Sequence, residues 1–230
     1  MTTENSPTSC AERRIGDWDA TCTTIALADG PLALWQVAAL ERHVDRAALL
    51  GAVDDPPEPP YWALCWSGAR VLADVVPRDA GRVIELGCGL GLPALAAARR
   101  GARVTCVDRV VDPLRFVRAS AATNGVRVDV VVADVAAAPT AGGFDCVLAA
   151  ELLYERPTFP ALVASLRALL APGGRVLLAD AGRIDTRDFY ALLPPAGFAV
   201  TSGEVRVLEE GWPVTVRVSE LRVARSAQSP

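Results

Sequence analysis

Carboxylates and glycines alternate with apolar runs in the middle of the chain. The apolar stretch 82–86 contains Glu85, and three glycines follow at alternate positions, Gly87, Gly89 and Gly91. A stretch of good helix formers comes next. This order predicts a strand, a glycine turn and a helix whose first N–H groups, at the positive end of the helix dipole, face a nucleotide-like ligand.

The type of ligand follows from two positions in this stretch. The dinucleotide fingerprint needs a glycine where this chain has Leu92, and the carboxylate of Glu85 would repel a pyrophosphate. A ligand with positive charge and no phosphate fits better. S-adenosylmethionine (SAM) has an adenosine, an ammonium and a sulfonium. We therefore predict SAM as the cofactor, with S-adenosylhomocysteine as its product.

The segment from Glu85 to Gly91 resembles the first motif of the class I, seven-stranded SAM-dependent methyltransferases. That resemblance implies an α/β fold of the Rossmann-like, doubly wound kind. Its seven-stranded sheet is mostly parallel with a C-terminal antiparallel hairpin, and helices cover both faces.

A second resemblance precedes the glycine turn. Pro60-Tyr61-Trp62-Ala63 and Trp66-Ser67-Gly68 are similar to a segment of the seven-stranded protein-lysine methyltransferases. The similarity is closest to the electron-transfer-flavoprotein β-subunit lysine methyltransferase group and its bacterial relatives. It implies that Trp66 contacts SAM and that Tyr61 and Trp62 shape the mouth of the pocket.

Acids also end the next two predicted strands. Asp108 closes a β-branched run about twenty residues after the glycine turn, where a carboxylate can accept both ribose hydroxyls. The family resemblance places Asp134 beside the adenine amino group. We expect both residues to bind the cofactor.

The fourth predicted strand delivers Glu151 and Tyr154. Ligands of open parallel sheets lie outside the carboxyl ends of the strands, so these two side chains are the predicted reaction centre. The pattern is similar to the family's Gly-Asp-x-x-Tyr, with Ala150 for glycine, as a further cofactor contact, and Glu151 for aspartate. The longer carboxylate leaves the acceptor open.

The expected reaction is in-line attack of a neutral nucleophile on the sulfonium methyl, with Glu151 accepting a hydrogen bond from an amine. The resemblance implies a protein lysine as the acceptor. The alternative is a small-molecule acceptor, and the chemically distinct alternatives are a SAM-fold module without turnover and a nicotinamide-dependent oxidoreductase. No metal is expected, because six scattered cysteines and one histidine form no ligand pattern.

The composition limits the classes of acceptor and the cellular location expected for this chain. A net charge of −4 argues against a nucleic-acid acceptor. Glu58-Pro59-Pro60-Tyr61 resembles the Asp-Pro-Pro-Tyr signature of methyltransferases acting on nucleic-acid bases, but it precedes the first strand instead of following the fourth. The polar N-terminus and the absence of a long apolar run predict a cytoplasmic protein that is neither secreted nor membrane-spanning.

We expect one methyltransferase domain over residues 61–224, between disordered tails at 1–12 and 225–230. Residues 13–60 would form an extension with a short strand near 23–27, a helix over 32–50 and a proline-rich linker before residue 61.

Overall fold

The computed structural model describes residues 11–43, 59–137, 140–209 and 211–224. In these ranges the strands are β1 (Ala11–Ile15), β2 (Trp18–Leu27), β3 (Gly30–Val37), β4 (Arg82–Leu86), β5 (Arg103–Asp108), β6 (Val128–Val132), β7 (Phe144–Ala150), β8 (Leu170–Asp180), β9 (Phe198–Glu209) and β10 (Trp212–Val223). The α-helices are α1 (Ser67–Val75), α2 (Leu92–Arg99), α3 (Val111–Thr123), α4 (Phe159–Leu169) and α5 (Arg187–Leu192).

Seven strands form the central sheet in the order β6-β5-β4-β7-β8-β10-β9. The strands β4 to β8 are parallel, and β10 runs antiparallel to both β8 and β9. This confirms the predicted Rossmann-like sheet with a C-terminal antiparallel hairpin. The carboxyl ends of β4, β5 and β7 meet at one edge, where the loops after them converge.

Both faces of the sheet are buried because successive residues of its central strands point in opposite directions. In β7, Val147 and Ala149 pack with Phe159 of α4 and Phe189 of α5. The alternate residues of the same strand pack with α1, α2 and α3 on the other face. Helices therefore lie on both sides, as the sequence predicted.

The N-terminal extension differs from the prediction. Residues 32–37, expected to begin a helix, lie in β3 and pair with β2 in an antiparallel three-stranded sheet, β1-β2-β3. The reason is that buried side chains alternate along this stretch, as they do in a strand, with Leu32 and Leu34 almost fully buried. In addition, Gly30 starts the strand immediately after a turn. The predicted strand near 23–27 lies inside β2.

Two boundaries also change. Ala11 and Glu12, predicted as part of a disordered tail, pair with Cys22 and Thr21. The rest of that tail, residues 44–50 of the predicted helix, most of the proline-rich linker and the tail at 225–230 lie outside the described residues. No helix in the described ranges has the length and apolar character needed to cross a bilayer.

The N-terminal sheet is fastened to α3. The backbone N–H of Trp35 donates to Ser120 Oγ at 2.9 Å, and its indole N–H donates to Thr123 Oγ1 at 2.8 Å. Asn124, directly after α3, accepts a hydrogen bond from the Ala33 N–H at 3.0 Å and donates to the Ala33 carbonyl at 2.6 Å. The extension is thus bonded to the side of the central sheet that carries the glycine turn.

Candidate active site

A cleft of about 920 Å³ opens at the carboxyl ends of β4, β5 and β7. All ten residues predicted from the sequence to contact the cofactor or the reacting atoms line this cleft: Trp66, Glu85, Gly87, Gly89, Gly91, Asp108, Asp134, Ala150, Glu151 and Tyr154. Parallel strand order is what gathers side chains that are up to 88 positions apart in sequence, from Trp66 to Tyr154.

The glycine turn is left-handed at all three of its glycines. Gly87, Gly89 and Gly91 have φ of +54°, +49° and +72°, which side-chain-bearing residues rarely adopt. A Cβ at Gly87 would also lie 2.3 Å from a methyl group of Leu152, and one at Gly91 would lie 2.7 Å from Val117. The turn geometry and the internal packing therefore require glycine at these positions, whether or not a ligand lies against them.

Glu85 is buried beneath the turn, with 1% of its surface exposed. Its carboxylate accepts a hydrogen bond at 2.8 Å from the N–H of Ala94, in the first turn of α2. Burial raises the pKa of this carboxyl to about 8, and the nearby charge of Asp108 acts in the same direction. A cation bound beside Glu85 would reverse that effect, so the residue fits a ligand carrying an ammonium group.

Asp108 ties the end of β5 to the glycine turn. One carboxylate oxygen accepts the Gly89 N–H at 3.0 Å, and the other accepts the Val110 N–H at 3.1 Å. Burial raises its pKa, although these backbone bonds oppose the shift. Each oxygen keeps a further lone pair, so the pair of oxygens can still accept two vicinal hydroxyls. Asp134 is exposed at the end of β6, with Oδ1 held by the Ala136 N–H at 2.8 Å.

Glu151 has a left-handed backbone, φ +55°, and a side chain that is only 9% exposed. Its two carboxylate oxygens accept the N–H groups of Gly68, at 2.9 Å, and Ala181, at 3.3 Å. Burial raises its pKa against the influence of these bonds and of Arg183, whose Nε lies 3.7 Å from Oε2. A Cβ at Gly68 would lie 2.7 Å from Oε1. The glycine at the start of α1 therefore makes room for this carboxylate.

Arg183 lines this end of the cleft and is bonded to Glu209, and the sequence pattern assigned a role to neither residue. Arg183 donates from Nη2 to both Glu209 oxygens at 2.8 Å, and its guanidinium lies 5.0 Å from the centre of the Trp66 ring. Glu209 also accepts the N–H and the hydroxyl of Ser67. Although burial acts to raise it, bonds from Ser67 and Arg183 hold the pKa of Glu209 below its usual value.

Position alone could have drawn attention to Arg183, since it follows the end of β8 directly. Glu209 gave no such signal, because it ends β9, which lies two strands away from β8 in the sheet, and only the folded sheet brings it to Arg183.

Aromatic side chains form the mouth and the roof of the cleft. Tyr61 and Tyr154 are 53% and 50% exposed. The Trp66 indole donates to the Tyr61 carbonyl at 2.9 Å. Trp62 lies against the glycine turn, since a Cβ at Gly89 would come within 3.2 Å of its carbonyl oxygen. The predicted aromatic segment therefore borders the cleft.

Trp18 was not among the predicted residues. It belongs to the N-terminal sheet, meets Trp62 edge-to-face at 5.1 Å between ring centres, and donates from its indole to Asp112 at 2.9 Å. His43, 4.8 Å from the Trp18 ring, also lines the cleft. The extension thus supplies part of the cleft wall. Local sequence pattern does not reveal this, because it carries no information on contacts between distant residues.

Comparison with known proteins identifies the central segment. Residues 83–174 match the family model described as Methyltransferase domain. A ubiquinone biosynthesis O-methyltransferase of Xanthomonas axonopodis pv. citri (strain 306) is 34% identical over 131 residues, 56% of this chain and 55% of that protein. The chain therefore spans about half the length of the curated relatives it matches.

Solved structures agree on the fold. A putative RNA methyltransferase of Pyrococcus horikoshii has a TM-score of 0.54 and 16% identity, over 68% of this chain and 84% of that one. The magnesium protoporphyrin IX methyltransferase of Synechocystis PCC 6803, solved with bound SAM, has a TM-score of 0.51 and 20% identity, over 61% and 69%. Identities this low show the fold alone.

The curated relatives carry the name of an O-methyltransferase, so the likeness to the electron-transfer-flavoprotein lysine methyltransferase group stays a prediction. The broader assignment rests on three agreeing observations: the family match, the strand order, and a glycine turn bracketed by buried acids. Residues 83–174 therefore match a methyltransferase domain, and the sheet that contains them has the fold of the class I, SAM-dependent type.

Proposed function

We propose that the chain transfers a methyl group from SAM to a small-molecule acceptor. The observation that carries the proposal is a single cleft whose walls run from the glycine turn, with Glu85 and Asp108, to Glu151. A cofactor and a small acceptor can therefore share one cavity. The relatives named for ubiquinone biosynthesis O-methylation support a small molecule with a hydroxyl oxygen as the first acceptor to test.

The cofactor half follows from the contacts described above. Glu85 would hold the ammonium, Asp108 the two ribose hydroxyls and Asp134 the adenine amino group, while Gly89, Ala150 and Trp66 border the same space. When bound, SAM supplies an electrophilic methyl group on a sulfonium. The domain over residues 61–224 would contain these positions, with Trp18 of the extension closing one side.

The acceptor half would centre on Glu151. Its carboxylate is fixed by two backbone N–H groups and is largely shielded from water, so its remaining lone pairs point in set directions. It would accept a hydrogen bond from the nucleophile and direct the attacking lone pair towards the methyl group. Tyr154 would border the acceptor at the mouth of the cleft. Catalysis would rest on alignment of the nucleophile and exclusion of water.

A protein lysine is the second candidate acceptor. It is favoured by the exposed rings of Tyr61 and Tyr154 at the mouth, because aromatic faces attract an ammonium group. The acids Glu151 and Glu155 line the same region, which also suits a cation. A nucleic acid is the least favoured acceptor, since the net charge of −4 would oppose phosphate binding.

The test is incubation of the purified full chain and an extract with SAM labelled in its methyl group. Label in the low-molecular-weight fraction supports the proposal, and label in a protein band supports the lysine alternative. E151Q is the test variant: it keeps the side-chain shape and one acceptor oxygen, and it removes the charge together with one of the two backbone bonds, from Gly68 or from Ala181. We expect E151Q to lose at least tenfold in rate with S-adenosylhomocysteine affinity nearly unchanged. No label in any fraction would contradict both candidates.

A further inference from the structure

The outer edge of the central sheet is formed by β9. In the described part of the chain this strand pairs with β10 alone. It is twelve residues long, and all residues from 199 to 206 are exposed, so neither face of this stretch is covered. An edge strand presents a row of N–H and C=O groups that can pair with another strand.

Natural sheets blunt their edges with prolines, bulges, very short strands or charged side chains. The first three of these devices are missing from β9: it contains no proline, and its pairing with β10 runs without a break over twelve residues, from Phe198 to Glu209. Its charges are those of Glu204, Arg206 and Glu209. The exposed, regular edge therefore favours pairing with a further strand.

The sequence of β9 is complementary to itself. Glu204 and Arg206 flank Val205 and share one face of the strand, since alternate residues point the same way. Antiparallel pairing about a two-fold axis at Val205 places Glu204 of each copy opposite Arg206 of the other. On the other face, Val205 meets its own counterpart, Val207 meets Gly203, and Glu209 meets the uncharged Thr201, so no like charges face each other there.

We propose that two copies of this chain associate through β9, forming one antiparallel sheet that continues across the dimer. A two-fold axis at Glu204 or at Arg206 would set like charges against each other, which destabilises a cross-strand pair. The two charges thus favour the register centred on Val205 over these two, because only the axis at Val205 pairs Glu204 with Arg206, and the partner is a second copy of the chain. This proposal does not depend on the proposed methyl transfer.

The test is sedimentation of the full chain, without cofactor, at 1 and 50 µM. We expect a species of twice the chain mass of 24.2 kDa at the higher concentration. The variants R206E and E204R each bring like charges together, so the dimer dissociation constant of each should be at least tenfold higher than that of the unmodified chain. Mixed in equal amounts they should form a heterodimer, because one variant then carries two acids and the other two bases at the facing positions.

R127E, a matched charge reversal at an exposed residue before β6 on the opposite edge, should behave like the unmodified chain. Circular dichroism would establish that each variant is folded. A monomer at 50 µM, an R206E dimer as tight as the original, or folded variants that fail to combine on mixing would each overturn the proposal.

Discussion

The most consequential side chain of the site is Glu85, a buried carboxyl bonded to the start of α2. Its pKa of about 8 in the folded protein lies well above the ordinary value of 4.5. The ligand-free fold therefore binds this proton more tightly than the unfolded chain does. By linkage, the contribution of Glu85 to the free energy of unfolding is most favourable below pH 4.5 and declines as the pH rises to 8.

Cofactor binding should show the opposite trend. If the ammonium of the cofactor needs the Glu85 carboxylate, binding must first remove the proton below pH 8, and affinity for S-adenosylhomocysteine should fall by up to about tenfold per pH unit between 8 and 6. Calorimetry measures this directly. E85Q should bind more weakly at pH 8 and show a nearly flat profile. A wild-type profile as flat as that of E85Q would exclude the assigned role.

For the individual side chains, the sequence predicted which residues line the cleft but not which backbone groups they bond to. The positions of Glu85, Asp108 and Glu151 follow from strand ends, which local pattern predicts well. Their backbone partners depend on how α1 and the glycine turn approach them in space. Arg183 and Glu209 were missed for the same reason, because their bond joins residues 26 positions apart, one after β8 and one at the end of β9, with β10 between these strands.

Among the elements, the N-terminal sheet shows where pattern reasoning fails. A helix over residues 32–50 fitted a loose apolar spacing, yet residues 32–37 pair with β2. Short apolar runs are compatible with both the helical and the strand periodicity, and contacts with other parts of the chain decide between the two. Here the deciding contacts come from α3, through Ser120, Thr123 and Asn124. The strands and helices of the central sheet, by contrast, were confirmed because turns and glycines bound them clearly.

The Asn124 side chain gives a direct measure of this docking. N124A would leave the N–H and C=O of Ala33 without their partner, and each such loss costs about 1–3 kcal/mol. We expect the free energy of unfolding to fall by about 2 kcal/mol in urea titrations. N124D keeps an acceptor for the Ala33 N–H but loses the donor to the Ala33 carbonyl. Its free energy of unfolding should therefore lie between those of the unmodified chain and N124A. A loss below about 0.5 kcal/mol for N124A would mean that the sheet is held by other contacts.

The whole molecule places its cavity where the sheet reverses strand order, between β4 and its neighbours β5 and β7. Helices cover both faces of the central strands, and the cleft opens where the loops after these strands meet, so the cleft is a consequence of the topology. The fold could be predicted from the glycine turn and the strand pattern. The extent of the cleft could not, because its walls include Trp18 of the N-terminal sheet and Arg183 after β8, which are 165 positions apart.

A cofactor that binds only this assembled cleft should stabilise the entire fold. At a concentration one hundred times its dissociation constant, S-adenosylhomocysteine should increase the free energy of unfolding by about 2.7 kcal/mol. For a chain of this length that corresponds to a rise in Tm of about 5–10 °C. Differential scanning calorimetry would measure it, with NAD as the matched control, for which we expect no change. An equal rise with NAD would contradict the cofactor assignment.

Trp18 and Arg183 line the same cleft although 165 positions separate them, and this has a consequence for protein synthesis. A ribosome makes the chain from the N-terminus, so the glycine turn and its acids emerge long before Arg183 and before Glu209, whose carboxylate holds the start of α1. The binding site consequently takes its final shape only after residue 209 has left the exit tunnel.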